Sequence, residues 1–252
     1  MQYPLKIYYV LIAFTVCLTT GFNITIEAEN TSNQSNLISE SSKPCPFHGL
    51  NFAPYEADQD PNTGAVVSAE QVKRRMRIIA PHTEWIRTFG CTKGMEHAGR
   101  IARGMGLKTA IGAWISADRP TNDRELEILI REAGKGNVDL AIIGSEVILR
   151  GDLTPDDLIA YMRQFRAEVP TVPVTTAEVY FNLLGNSSLM AECDVILVNY
   201  YPYWEGVSVK NAARWLHVRH QRLLALSGGK EVIISETGWP SAGDTINEAV
   251  PT

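Results

Sequence analysis

The stretch EVIISETGWPSAG, residues 231–243, ends a run of β-branched apolar residues in a single carboxylate, Glu236. Gly238 and Pro240 follow almost at once, and both residues are poor at extending a strand. An unpaired carboxylate at the end of a buried strand is energetically costly. The stretch therefore predicts a strand whose last acidic side chain is either neutralised by a partner or held in place for chemistry.

Short apolar runs with a polar end alternate with longer amphipathic runs from Phe47 onward. The predicted strands are residues 47–53, 85–90, 107–115, 138–146, 172–178, 193–201 and 230–236. The predicted helices are residues 68–80, 95–106, 122–136, 155–169, 183–192 and 209–226. Ser68 and Gln71 are spaced as in a capping box, and Thr154 precedes Pro155 at another helix start. Seven repeats in this order predict a parallel sheet wrapped by helices.

Two architectures fit such a chain, a doubly wound open sheet and a (β/α)8 TIM barrel. The first strand-to-helix junction has no GxGxxG pattern, which weakens the dinucleotide-binding form of the open sheet. Nearly every predicted strand instead ends on polar or aromatic residues, namely Asn51, Arg87, Trp114, Glu146, Glu178, Asn199 and Glu236. Barrels build their sites from many strand ends that meet on one face. We therefore predict an α/β (β/α)8 barrel with about seven βα units and a missing or truncated eighth strand.

The N-terminal residues differ in composition from the rest of the chain. Residues 1–21 carry one lysine and a short apolar run, which is typical of a signal peptide, with an N-terminal anchor as the alternative. Residues 22–45 are rich in Ser, Asn and Thr and predict a disordered spacer. Residues 46–252 are expected to form the barrel, C-terminally incomplete. We expect a secreted or cell-envelope protein, and the net charge of −5 argues against nucleic acid as a partner.

Several kinds of reactive site are poorly supported by the sequence. No predicted strand ends on a lysine, no Gly-rich loop is suited to phosphate, and no Cys or His spacing resembles a zinc site. Beyond the leader only Cys45, Cys91 and Cys193 remain, and we expect free thiols. We therefore predict no cofactor and no metal.

Carboxylates remain as the candidate reactive groups. Glu146 ends the fourth predicted strand and Glu236 the seventh, so in a barrel both reach the same mouth. Two carboxylates that flank a sugar linkage are the minimum for glycoside hydrolysis, one protonated and one ionised. Glu178 is a third candidate for this pair. Aromatic side chains suited to sugar faces cluster at the strand ends, namely Trp114, Tyr200, Tyr201, Tyr203, Trp204 and Trp239.

The segment ISETGWPS resembles the nucleophile motif of glycoside hydrolase family 17, the β-1,3-glucanases and related glucanosyltransferases. IIGSEV, VNYYPYW and GLNFAPY are similar to its acid/base, sixth-strand and first-strand motifs, in the same order across residues 47–245. The resemblance implies a retaining double displacement on a β-glucan, expected to be β-1,3-linked. It implies that Glu236 is the nucleophile, Glu146 the acid/base, and Tyr201 a hydrogen-bond donor to the nucleophile.

Ser145 stands where that family usually has Asn, a side chain expected to touch the sugar 2-hydroxyl. The shorter Ser hydroxyl loses this contact, makes it through water, or leaves it to another residue. The residues that we expect to bind substrate are Asn51, Arg87, Trp114, Ser145, Glu178, Asn199, Tyr201, Tyr203 and Trp239. Three alternatives to a hydrolase stay open: a β-1,3-glucanosyltransferase, a non-catalytic glucan-binding barrel, and a lyase. We expect a β-glucan polysaccharide or oligosaccharide as the partner and a monomeric protein.

Overall fold

The computed structural model describes residues 47–252, and the predictions for residues 1–46, including Cys45, lie outside that range. Its one sheet has seven parallel strands in the order β1-β2-β3-β4-β5-β6-β7, each paired with the next in the chain. The strands are β1 Phe47–Asn51, β2 Thr83–Arg87, β3 Lys108–Ala113, β4 Leu140–Ser145, β5 Val174–Val179, β6 Ile196–Tyr200 and β7 Val232–Thr237. Sequential parallel order is that of a (β/α)8 barrel, and the prediction of a barrel with seven of its strands is confirmed, with helices after β1 to β6 in the described residues.

Helices connect successive strands and cover the outer face of the sheet. They are α1 Ala69–Ile79, α2 Ala98–Arg103, α3 Arg119–Gly134, α4 Pro155–Glu168, α5 Tyr180–Gly185, α6 Ser187–Glu192 and α7 Val209–Leu226. Short 3-10 turns span Pro61–Thr63, Ala80–His82 and Met95–His97. None of the helices in residues 47–252 is long and apolar enough to cross a membrane.

Local sequence signals explain where several helices begin and end. The Ser68 hydroxyl accepts the Gln71 N–H at 3.1 Å, and the Thr154 hydroxyl caps α4 through Asp157. The Gln71 side chain does not complete a capping box, because its Oε1 accepts Gln59 Nε2 at 3.3 Å while its Nε2 donates to the Pro54 carbonyl at 3.0 Å. The single helix predicted at residues 183–192 is wrong, since α5 and α6 are separate helices that meet at a non-helical Asn186.

Side chains of the strands alternate between two hydrophobic layers. The outer layer packs Ile86, Ile111 and Ile143 against the helices, whereas an inner layer of Ala110, Leu140, Ile142, Ala177 and Leu197 fills the concave face. Burying a large aliphatic side chain contributes about 1.5–3 kcal/mol, so these layers dominate the stability of the sheet.

The two outer strands of the sheet are less buried than the five between them. All six residues of β7 are partly exposed, whereas every residue of β4, β5 and β6 is buried. Side chains from the other side of the curl nevertheless reach β7. Asn51 Nδ2 and Arg87 Nη1 donate to the Ser235 carbonyl at 3.1 and 3.3 Å. The curled half-barrel therefore brings β1 and β2 within hydrogen-bond reach of β7.

Candidate active site

Each of the two candidate carboxylates follows a β-bulge. The pairing of β4 with β5 shifts between Ile142 and Ser145, just before Glu146. The pairing of β6 with β7 shifts so that Val198 faces Ile234 while Asn199 faces Glu236, which leaves Ser235 as the extra residue. Bulges are common beside active sites because they re-aim side chains.

The bulge at Ser235 decides where Glu236 points. Ile233 packs in the inner layer and Ile234 in the outer layer, so strict alternation would turn Glu236 outward. The extra residue reverses this alternation, and the Glu236 carboxylate contacts Arg87, which extends into the concave face from β2. The same argument applies to Ser145, which alternation from Ile142 would turn outward and which instead contacts Arg87.

The end of β4 has an unusual backbone. Gly144 has a φ of 78°, and a Cβ atom there would lie 2.4 Å from a Val147 methyl carbon, so only glycine fits. Glu146 also has a positive φ, 55°, which is rare for a residue with a side chain. Such a conformation costs on the order of 1–3 kcal/mol and persists only where its surroundings enforce it.

The carboxylate of Glu236 is held by three donors. Arg87 Nη1 lies 2.7 Å from Oε1, the Tyr201 hydroxyl donates to Oε2 at 2.9 Å, and the Ser145 hydroxyl donates to Oε1 at 3.4 Å. Only 7% of the Arg87 side chain and 14% of the Glu236 side chain are exposed. Burial and the Glu236 charge raise the pKa of Tyr201, so its phenol stays protonated and remains a donor. These contacts favour an ionised Glu236.

Glu146 is in a contrasting environment. Asn199 Nδ2 donates to Glu146 Oε1 at 2.8 Å. The side-chain oxygen of Asn199, Oδ1, in turn accepts the Ser235 hydroxyl at 2.6 Å. Burial and then the charge of Glu236 raise the pKa of Glu146 to about 7, with a further contribution from Glu178. Glu146 is therefore a carboxylic acid at mildly acidic pH and can donate a proton there.

Ser145 links the Arg87 cation to the Glu236 carboxylate. Its hydroxyl accepts Arg87 Nη2 at 3.0 Å and points its proton to Glu236. Asn51 completes the network, since its Oδ1 lies 3.4 Å from Arg87 Nη1. The sequence-predicted residues that the structure brings together around the carboxylates are Asn51, Arg87, Ser145, Asn199 and Tyr201.

Glu178 is placed differently from Glu146 and Glu236. It is fully buried, and its carboxylate accepts the N–H groups of Ile148, Leu149 and Val179 and the amide of Asn182. These contacts occupy both of its oxygens with protein donors. The geometry therefore separates Glu178 from the Glu146–Glu236 pair.

Tyr200 is fully buried and packs against Tyr180 of α5 and His220 of α7, so its expected place at a sugar face is wrong. The other predicted aromatic residues differ in their exposure. Trp114 is 37% exposed and lies beneath the Arg150 guanidinium, whose central carbon is 4.5 Å from the ring centroid. Tyr203 is buried, donates its hydroxyl to the Asp244 carbonyl, and packs edge-on against Trp239 with ring centroids 5.6 Å apart. Direct sugar contacts by Trp114, Tyr203 and Trp239 stay predictions.

Two contributors were missed by sequence reasoning. Ser235 supplies both a carbonyl to Asn51 and Arg87 and a hydroxyl to Asn199, yet a serine in a strand carries no distinctive signal. Arg150 follows Glu146 by four residues and donates to the Ser145 and Ile115 carbonyls. Its position four residues after the glutamate that ends a predicted strand could have indicated Arg150 from the sequence. Cys91 and Cys193 are buried, free thiols away from these contacts.

Named relatives of this chain are fungal. It is 27% identical over 216 residues to the probable glucan endo-1,3-beta-glucosidase btgC of Aspergillus terreus, covering 78% of this chain and 33% of the relative. It is 26% identical to the cell surface mannoprotein MP65 of Candida albicans, covering 81% of this chain and 54% of the relative. The chain thus spans about a third of the length of the glucosidase relative and about half that of the mannoprotein.

Solved structures of one enzyme resemble the half-barrel. The glycoside hydrolase family 17 beta-1,3-glucanosyltransferase from Rhizomucor miehei superposes with a TM-score of 0.70 at 32% identity, covering 81% of this chain and 76% of that one. An active-site mutant of that enzyme in complex with laminaritriose gives a TM-score of 0.71. The BtgE/BtgC glycoside hydrolase domain matches residues 49–252. With the strand order and the two carboxylates, this match shows that the chain belongs to the BtgE/BtgC glycoside hydrolase domain family.

Proposed function

We propose that this domain is a retaining glycoside hydrolase that cleaves β-1,3-glucan, with Glu236 as nucleophile and Glu146 as acid/base. The observation that carries the proposal is the unequal treatment of the two carboxylates. Glu236 is bound by Arg87, Tyr201 and Ser145, whereas burial raises the pKa of Glu146 to about 7. One ionised and one protonated carboxyl group at a barrel mouth are what glycoside cleavage needs.

The first chemical step follows from these protonation states. Glu146 transfers its proton to the glycosidic oxygen, the bond to the anomeric carbon breaks, and a Glu236 oxygen bonds to that carbon. The Glu236 charge is lost in the resulting ester. Because that charge is one cause of the raised pKa of Glu146, the pKa falls once the ester has formed.

The second step reverses the roles. Glu146, now ionised, removes a proton from an incoming hydroxyl, whose oxygen bonds to the anomeric carbon while the ester bond to Glu236 breaks. Tyr201 and Arg87 stabilise the returning carboxylate through the same hydrogen bonds that hold it at rest. Two inversions at one carbon give net retention of configuration.

The acceptor in that second step distinguishes hydrolysis from transfer. Water gives hydrolysis, and a glucan hydroxyl gives transglycosylation. The second candidate function is therefore β-1,3-glucanosyl transfer, favoured by the likeness to the Rhizomucor miehei glucanosyltransferase at 32% identity. The names of the curated glucosidase relatives favour hydrolysis.

Product analysis by proton NMR tests these assignments together. Laminari-oligosaccharides are incubated with the protein, and the anomer formed first and the chain lengths are read before mutarotation. We expect β-anomers, with shorter products for hydrolysis and additional longer products for transfer. First-formed α-anomers would refute retention, and unchanged substrate that still binds by calorimetry would identify a non-catalytic glucan-binding barrel.

We also propose an extracellular or cell-wall location. The leader-like residues 1–21 and the similarity to a cell surface mannoprotein support it. Expression of the full chain in a fungal host, beside a variant without residues 1–21, tests this. We expect the full chain in the medium or wall fraction and the shortened chain inside the cells, and equal retention of both inside would contradict the proposal.

A further inference from the structure

The turn that carries Glu146 is strained and needs external support. Glu146 has a φ of 55°, and its N–H donates to the Ala177 carbonyl of β5 at 2.8 Å. The Arg150 N–H then returns to the Glu146 carbonyl at 2.9 Å, which closes the turn. A left-handed residue persists only where its neighbours hold it, so the side chains that touch this turn matter for catalysis.

Glu178 of β5 holds one side of the turn. Its Oε2 accepts the Ile148 and Leu149 N–H groups at 2.9 and 3.3 Å, and its Oε1 accepts the Val179 N–H at 2.8 Å and Asn182 Nδ2 at 3.3 Å. All four partners are donors. Burial raises the pKa of Glu178, and the four hydrogen bonds oppose that rise. A protonated carboxyl would direct its own proton at one of these donors, so the hydrogen-bond geometry suits an ionised Glu178.

Arg150 holds the other side of the turn. Its Nη1 donates to the carbonyl of Ser145, which directly precedes Glu146. Its Nη2 donates at 2.6 Å to the carbonyl of Ile115, which follows β3. Its Nε donates to Asp152 at 2.6 Å, and the guanidinium covers the Trp114 ring. Arg150 thereby ties the acidic strand end to the neighbouring strand and its aromatic residue.

We propose that Glu178 and Arg150 are positioning residues for Glu146, holding its turn from opposite sides with opposite charges. This inference rests on the proposed acid/base role of Glu146. Neither side chain needs to touch the reacting atoms. Their hydrogen bonds to the turn fix the direction of the Glu146 carboxyl. The negative charge of Glu178 strengthens the binding of the Glu146 proton, and the positive charge of Arg150 weakens it.

The charges that face Glu146 come from several elements. Glu236 on β7 and Glu178 on β5 raise the pKa of Glu146, while the Asn199 amide on β6 and the charge of Arg150 lower it. Arg87 on β2 is paired with Glu236 and Ser145. Removing Glu178 and removing Arg150 should therefore move the protonation of Glu146 in opposite directions, which a merely structural role would not do.

Four variants test the pair through the pH profile of kcat/KM on a laminari-oligosaccharide. Glu178→Gln should move the basic limb down by roughly half a pH unit, and Arg150→Met should move it up by a similar amount. Arg150→Lys keeps the charge but loses the forked contacts, so we expect a roughly tenfold lower kcat with the limb in place. Glu168→Gln, an exposed change at the end of α4, is the matched control and should alter neither.

A titration that needs no turnover separates this inference from the proposed function. The side-chain carboxyl of Glu146 is followed by NMR with ¹³C-labelled glutamate and assigned by its loss in Glu146→Gln. If the Glu146 pKa falls in Glu178→Gln and rises in Arg150→Met, the positioning pair is supported even in an inactive protein. If the pKa is unchanged, or moves in the same direction in both folded variants, the pair is overturned even in an active protein. Should Glu178→Gln fail to fold, the contrast between Arg150→Met and Arg150→Lys decides, and equal titration of these two overturns the pair.

Discussion

The carboxyl ends of β4 and β7 share a β-bulge but surround their glutamates with different charges. Each strand has a bulge just before its glutamate. Glu236 then meets a cation and two hydroxyls, whereas Glu146 meets one amide and the charges of two other carboxylates. The bulge in β7 turns Glu236 to the concave face, and the bulge in β4 turns Ser145, the residue before Glu146, to the same face. The neighbouring side chains then give the two glutamates different electrostatic surroundings.

Removing the Glu236 charge should have the largest effect. Glu236→Gln keeps the shape of the side chain but removes the proposed nucleophile, so we expect glucan cleavage to fall by more than about 10⁴-fold. The matched control is Glu231→Gln, which changes an exposed glutamate just before the same strand and should leave turnover intact. Rates are measured by reducing-sugar release, and wild-type rates in Glu236→Gln would remove the nucleophile from this site.

Replacing Glu146 should have the next largest effect and a distinctive substrate dependence. Glu146→Gln removes the general acid, and we expect a loss of about 10²–10⁴-fold on glucan. The leaving group of an activated aryl glucoside needs no proton. The rate of bond cleavage in Glu146→Gln should therefore fall much less on that substrate than on glucan. The wild type should lose activity as the pH rises through about 7, where Glu146 gives up its proton. A Glu146→Gln profile that keeps this limb would assign the limb to another group.

The same substitution should stabilise the fold at high pH. The folded pKa of Glu146, about 7, lies above its ordinary value of 4.5, so its proton stabilises the fold fully below pH 4.5. That contribution is lost as the pH rises to about 7, and its full size is about 3 kcal/mol. Denaturant unfolding should therefore show Glu146→Gln more stable than the wild type at pH 8 and little different at pH 4. Equal differences at both pH values would contradict the buried-acid description.

Replacing Tyr201 should have a smaller effect, because it removes only one hydrogen bond to Glu236. Tyr201→Phe removes the hydroxyl that donates to Glu236 at 2.9 Å and leaves the ring in place. A hydrogen bond to a charged group is worth about 1.5–3 kcal/mol, so we expect kcat to fall by roughly 10–100-fold. Tyr161→Phe on α4 is a suitable control, because its hydroxyl contacts Asn122 of α3 instead. Similar losses in both variants would point to general loosening of the site.

Ser145 should give the smallest effect. Ser145→Ala removes the hydroxyl that links Arg87 to Glu236, and we expect a loss of a few-fold, in line with about 1 kcal/mol for one hydrogen bond. Ser145→Asn introduces the side chain usual in family 17, and we expect KM to fall several-fold as a sugar contact is gained. A higher KM in Ser145→Asn would show that the Arg87–Ser145 contact is the one this site needs.

Much of the fold was predictable because its signals are local. Apolar runs that end in a polar residue located all seven strands, and the strand ends of parallel sheets must share an edge. For the same reason Glu146 and Glu236 could be paired from the sequence alone. The likeness of ISETGWPS and of IIGSEV to family 17 motifs then predicted a role for Glu236 and for Glu146.

The detailed contacts were less predictable because they depend on breaks in the regular pattern. Alternation from Ile233 places Glu236 on the wrong face, and only the extra residue at Ser235 corrects this. Asn199 was expected at the sugar but contacts Glu146 and Ser235, and Tyr203 packs beneath the rim. A one-residue shift of register and a rotamer choice carry no strong signature in a single sequence.

The partial exposure of β7 has a consequence for how this protein loses activity on heating. The strand lies at one side of the described sheet and all six of its residues are partly accessible, so its local opening costs less than global unfolding. Opening β7 displaces Glu236 while the buried strands β4, β5 and β6 stay in place. Thermal inactivation is therefore expected to run ahead of melting, and amide hydrogens in β7 to exchange earlier than those in the centre of the sheet.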